Sequence, residues 1–209
     1  NGAGKTTLMR LVTGQSAPTA GSVELFGQTG RELARARSRT GAMIETPSFA
    51  PFLTARENLE YYRIQRGIPG RSCVDEALEL VRLTGAGKKK FKTFSLGMKQ
   101  RLGLALALMN QPEFLLLDEP NSALDFYNTQ LLFQTVGELI RTQRKAGLVV
   151  LHDPALALTW CRRLLLLRRG ELVGEICPRE ATEGEIQAIL RRIYPDICVK
   201  RDKDSGAYW

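Results

Sequence analysis

The chain has 209 residues, 44% hydrophobic and 25% charged, a globular balance that excludes a disordered tail, a collagen-like fibre or a disulfide-stapled miniprotein. No run of about 18 apolar residues is present; the greasiest stretches, at 102–109 and 164–167, are far too short to cross a bilayer. The formal net charge of +8 admits nucleic acid, anionic lipid or phosphorylated ligands, yet lysine and arginine are dispersed, and the single run, Lys88, Lys89 and Lys90, reads as a solvated face.

One globular domain is the default at this length. Cys73, Cys161, Cys177 and Cys198 are scattered without a C-x-x-C pair, and the single His152 cannot complete a zinc site with them, so free thiols of a reducing cytosol are expected. No initiator Met or charged leader precedes Asn1, which reads as the start of a fragment.

In chain order, the apolar residues of 8–12 stop at Gly14 and predict a short helix with a glycine cap. Alternation over 22–26, between Gly21 and Gly27, predicts a strand, and 42–44 predicts another. Pro47, Pro51, Pro69 and Gly70 then punctuate helical patterns at 55–64 and 74–83, which makes residues 46–92 a helical insertion. A helix follows from Ser95 to about Met109, then a break at Pro112, an apolar strand over 114–117, a helix over 127–144 and a strand over 148–151. Strands alternating with helices predict an α/β fold with a mostly parallel sheet flanked by helices. Residues 163–174 read as strand, turn and strand. Thr182 with Glu185 makes a capping box ahead of a helix over 186–193, with order expected to about Tyr194.

The chemistry concentrates in a few short motifs. Asn1, Gly2, Ala3, Gly4, Lys5, Thr6 and Thr7 match the second part of the phosphate loop G-x-x-x-x-G-K-[ST], whose first glycine and next residue lie upstream. Glycines let backbone N–H groups converge on phosphates, Lys5 supplies a point charge to the β and γ groups, and Thr6 offers a hydroxyl to Mg²⁺. The strand 114–117 runs into Asp118 and Glu119. An acid at the C-terminal edge of a buried strand suits a Mg²⁺ shell, and its neighbour is placed to polarise an attacking water. Two acids after an apolar run are common by chance; their pairing with a phosphate loop makes them specific.

Between these motifs lies Phe94-Ser95-Leu96-Gly97-Met98, and Leu124-Asp125 follows Glu119. At this point the sequence resembles the nucleotide-binding domain of ABC transporters, in which a serine-glycine signature precedes the two acids. The usual signature is L-S-G-G-Q; here the serine and one glycine are kept, a variant similar to exporters of the bacteriocin and peptide-antibiotic resistance type. Ser95 also suits the cap of an amphipathic helix, and a helix start with Ser and Gly is itself a phosphate site. The resemblance runs from Asn1 to about Tyr194, with 148–175 closer to ATPases of siderophore and cobalamin importers.

That resemblance implies a P-loop ATPase fold with a helical subdomain at about 46–92 and a hairpin-helix region at about 163–194. It implies ATP and Mg²⁺ as ligands, and a site in which Ser95, Gly97 and Met98 face the γ-phosphate held by another protomer. The active unit is then a homodimer or heterodimer, and a transmembrane permease subunit is the partner, at the cytoplasmic side of the membrane. His152 matches the switch histidine that touches the γ-phosphate. Glu45 stands where the family commonly has a glutamine joining Mg²⁺ and the attacking water to the membrane partner, and its added negative charge keeps it a candidate metal ligand. The resemblance further implies that an adenine-stacking aromatic belongs upstream of Asn1. Two other readings carry the same motifs: an SMC-type DNA-maintenance ATPase and a soluble translation-factor ATPase. The first inserts a long coiled coil where Glu45 and Ser95 stand only 50 positions apart, and the second has two cassettes, so a transport ATPase with no nucleic-acid partner is the expectation.

Overall fold

The computed structural model describes residues 3–44, 48–122, 124–202 and 204–208. The chain forms two compact units, residues 9–149 and residues 1–8 with 150–209.

The phosphate-loop residues open α1 (Lys5–Thr13), which ends at Gly14 with φ +81°. In the larger unit the chain then passes through a short 3-10 turn and α2 (Leu33–Ser38) into β1 (Thr40–Met43). Helices α3 (Ala55–Gln65) and α4 (Ser72–Leu80) follow, then α5 (Leu96–Leu108), β2 (Phe114–Asp118), α6 (Phe126–Thr142) and β3 (Ala146–Val150). The three strands form one sheet in the order β1-β2-β3, with β1 and β2 parallel and Gly41 opposite Leu115. Leu115, Leu116 and Leu117 of the central strand are fully buried, as a strand covered on both faces requires. The backing helix α5 buries Leu102, Gly103, Leu104, Ala105, Leu106, Ala107 and Leu108 in an unbroken run. That corrects the amphipathic pattern expected for it: a helix wedged between other elements has no free face to make polar.

Gly41 sets how closely α5 approaches the sheet. A Cβ built there lies 2.1 Å from the carbonyl oxygen of Ala107 and 2.7 Å from Cγ of Pro112, so only a bare Cα lets strand and helix backbones meet. The expected strand at 22–26 is absent. Leu25 pairs only with Gln28 across a turn in which Phe26 and Gly27 are both left-handed, because alternation makes a strand only where another strand supplies hydrogen-bond partners.

In the smaller unit, α7 (Pro154–Trp160) leads to the antiparallel pair β4 (Leu164–Arg168) and β5 (Glu171–Ile176), and then to α8 (Glu183–Leu190). The Arg169–Gly170 turn has φ +53° and +83°, matching the two-residue hairpin turn whose twist suits its strands. Thr182 and Glu185 form the reciprocal capping box that their spacing predicts. Order continues past Tyr194: Val199 and Tyr208 join the core of Leu158, Ile176 and Ile186, and Tyr208 donates its hydroxyl to the carbonyl of Pro178 at 2.9 Å. The apolar periodicity ends near residue 194, so nothing short of packing reveals that tail. All four cysteines are free.

Candidate functional site

In the smaller unit, Ala3 and Gly4 lead into α1, where Lys5, Thr6 and Thr7 make the first turn. Gly4 has φ +87°, a left-handed bend that favours glycine, and its carbonyl accepts from the amide of Leu8 at 2.9 Å. The loop is held from outside by the β4–β5 turn, whose Gly170 amide donates to the carbonyl of Ala3 at 3.2 Å. Sequence reading missed this support, because nothing local links residue 3 with residue 170. Asn1 and Gly2 lie outside the described residues, and so does Glu45.

His152 belongs to the same unit. It is exposed, directly before Asp153, which caps α7 by accepting from the amides of Ala155 and Leu156 at 2.9 and 3.1 Å. Its carbonyl accepts from the Tyr194 hydroxyl at 3.4 Å. Pro154 takes the first helical position of α7, where no N–H is missed.

The acids and the signature lie in the larger unit. Asp118 ends β2 at its C-terminal edge, and Glu119 follows with φ +46°. A left-handed glutamate is uncommon and costs about 1–3 kcal/mol, a strain that concentrates at functional sites. Oδ1 of Asp118 is buried and has no hydrogen-bond partner. A carboxylate oxygen cut off from water without a donor is unfavourable by itself, and a bound cation relieves it. Among the described residues no three His, Cys, Asp or Glu side chains gather at one point. One carboxylate completed by a hydroxyl, water and substrate phosphates is how Mg²⁺ is commonly held.

Ser95 caps α5, its hydroxyl accepting from the Met98 amide at 3.3 Å, so the capping expectation for this serine holds. Gly97 is buried under the start of α6: a Cβ there lies 3.0 Å from Cγ of Asn128. Asn128 is in turn held by Asp125, which accepts from its amide at 2.7 Å and from its Nδ2 at 2.8 Å. Those N–H donors hold the Asp125 carboxyl below the usual carboxylate range. Gly97 thus lets α5 sit against the first turn of α6. One turn further along α5, burial lowers the basicity of Arg101, whose Nε has no partner.

The ABC transporter family matches residues 1–122. The chain is 35% identical over 191 residues to the uncharacterized ABC transporter ATP-binding protein YdbJ of Bacillus subtilis (strain 168), across 91% of this chain and 62% of that protein. It is 47% identical over 129 residues to the bacitracin transport ATP-binding protein BcrA of Bacillus licheniformis, across 60% of this chain and 41% of that one. The chain therefore spans 41% to 62% of the length of these curated relatives. A dimeric ATP-binding cassette solved in a post-hydrolysis state with ADP and Pi superposes with a TM-score of 0.75 at 28% identity, over 85% of this chain and 82% of that one. With the phosphate-loop sequence, the acids closing a parallel strand and a matching fold in place, the chain belongs to the ABC transporter family.

Proposed function

We propose that this chain is the ATP-binding and ATP-hydrolysing part of an ABC transporter, powering solute movement across a membrane through a transmembrane permease partner. The observation that carries the reading is the buried, unpartnered Oδ1 of Asp118 at the C-terminal edge of β2, followed by the strained Glu119. An ATP-hydrolysing site has a use for both features.

Residues 1–7 cradle the phosphates through their amides, with Lys5 neutralising charge on the β and γ groups. Thr6 and Asp118 are the ligands for Mg²⁺, with Glu45 a third candidate. Mg²⁺, when bound, screens the phosphate oxygens against the charge that builds during in-line attack. Glu119 accepts the proton of the attacking water or orients it. His152 contacts the γ-phosphate. Ser95, Gly97 and Met98, at the N-terminus of α5, face the phosphate bound by a second protomer, Ser95 donating its hydroxyl and Gly97 its amide, so that two nucleotides are held in a homodimer or heterodimer. Residues 46–92 are the helical subdomain that passes closure and opening to the permease, and 163–194 the region that supports the phosphate loop. No helix among the described residues is long and apolar enough to cross a membrane, and we place the chain peripherally at the cytoplasmic face, against its partner.

Hydrolysis by Glu119→Gln tests this. The amide keeps the shape and cannot take a proton, so turnover falls by 10²–10⁴-fold while ATP is retained. Turnover within about a factor of two of the unsubstituted chain refutes the assignment.

A further inference from the structure

The C-terminal carbonyls of α1 have no intrahelical donors of their own, as at any helix end. Four donors meet them. The Gly14 amide donates to the carbonyl of Leu11 and the Ser16 amide to that of Arg10, both at 3.2 Å, and the Thr13 hydroxyl reaches the Arg10 carbonyl at 3.3 Å. The remaining donor is Arg37, on α2, whose Nε donates to the carbonyl of Val12 at 3.0 Å and whose Nη2 donates to that of Leu11 at 3.2 Å. The guanidinium lies directly over Gly14, where a Cβ would come within 2.6 Å of its Cζ. Glycine at 14 therefore serves two ends, the left-handed bend that stops the helix and the space that the guanidinium fills. A cation at a helix C-terminus also complements the helix dipole.

We infer that Arg37 is a positioning residue for nucleotide binding: by clamping the last carbonyls of α1 it sets the direction of the helix whose first turn carries Lys5 and Thr6. The inference rests on the proposed nucleotide site. Helix α1 has nine residues, a rod of about 13 Å, so a tilt of about 10° at one end moves the other by about 2 Å. Displacements of that size are enough to spoil phosphate contacts. Arg37 also stands three residues before Thr40, where β1 begins, so the same side chain ties α1 to the segment that leads into β1.

The test uses Arg37→Met, which keeps the apolar stem and removes the donors, Arg37→Gln, and Arg37→Lys, which keeps the charge and one donor group. ATP and ADP affinities are measured by titration calorimetry with Mg²⁺, at least ten degrees below each variant's unfolding onset, with the folded fraction checked by circular dichroism. Arg37→Met and Arg37→Gln should weaken both nucleotides by about tenfold, Arg37→Lys should recover part of the loss, and KM should rise with kcat within about twofold. Gly14→Ala displaces the guanidinium, so its effect and that of Arg37→Met should be less than multiplicative in the double variant. Affinities within twofold of the unsubstituted chain, with only the unfolding temperature lowered, reduce Arg37 to a structural cap and overturn the inference. So does a fully multiplicative double variant. Should Arg37→Met not fold, the Gln and Lys variants decide alone. An unsubstituted chain that binds no ATP overturns the nucleotide reading itself, and this inference with it.

Discussion

Two single residues illustrate opposite uses of backbone freedom. Glu119 adopts a left-handed conformation that glycine would take without cost, yet the position carries a carboxylate; the role proposed for Glu119 gives a reason to keep it despite the strain. At Gly41 the need is for no side chain at all. Gly41→Ala drives a Cβ into the Ala107 carbonyl and the Pro112 ring, both belonging to rigid backbone or ring, and should cost about 3 kcal/mol, lowering the unfolding temperature by roughly 6–12 °C. Gly137 is the internal comparison, a helical glycine of α6 with nothing within 4 Å of a built Cβ. Gly137→Ala should leave the temperature unchanged or raise it slightly, through helix propensity. Equal unfolding temperatures for Gly41→Ala and the unsubstituted chain would show that α5 can withdraw from β1 without loss.

At the scale of elements, several helix starts share one chemistry, although α2 and α4 have no side-chain cap. Thr54 with Glu57 caps α3, Thr182 with Glu185 caps α8, and Asp125 caps α6. Backbone N–H donors come first among the causes that hold the carboxyls of Glu57, Glu185 and Asp125 below their ordinary range. Ion pairing does the same for Glu113 with Arg39 and for Asp75 with Arg56. A carboxyl whose pKa is lower folded than unfolded binds its proton less readily in the folded state. Its contribution is therefore complete above the unfolded value and disappears as pH falls through the folded one. The urea midpoint should be level above about pH 5 and decline steadily below about pH 4. Asp125→Asn, which still accepts a hydrogen bond and does not titrate there, should decline less steeply than the unsubstituted chain. A midpoint that holds constant from pH 5 to 3 would remove these caps and pairs from the account. The starts of α5 and α8 are read from Ser95 and from Thr182 with Glu185, whereas the Asp125 cap of α6 and the Thr54–Glu57 box of α3 were not anticipated. Helix α7 has only seven residues, too few for a helical period to register, and was not expected.

For the whole molecule, the motif residues are divided between the two units: Ala3 to Thr7 and His152 in one, Ser95, Gly97, Met98, Asp118 and Glu119 in the other. The proposed dimer adds a further division, with Ser95 of one protomer serving the phosphate loop of another. Mixing Ser95→Arg protomers with Lys5→Ala protomers examines this directly. In a mixed dimer one composite site carries both lesions and the other carries neither, so hydrolysis should reappear in the mixture although each pure variant is inactive. A mixture as inactive as either parent would mean that each protomer builds its site alone.

The sequence by itself determined the family, the α/β order and the identity of the chemical groups, because a phosphate loop, an acid pair and a serine cap are each written within a few consecutive residues. Tertiary structure decided which of those residues are supported and how. The turn at Gly170 holds Ala3, Arg37 clamps Leu11 and Val12, Asn128 closes over Gly97, and the Ala107 carbonyl requires Gly41. Each of these contacts joins positions far apart along the chain, and neither period nor spacing carries information about such a pair. The lost strand at 22–26 and the unforeseen burial of Tyr208 have the same origin. Alternation shows that a segment could pair and its absence that a segment need not, but a strand forms only where a neighbour offers donors and acceptors, and a tail is buried only where a core leaves room for it.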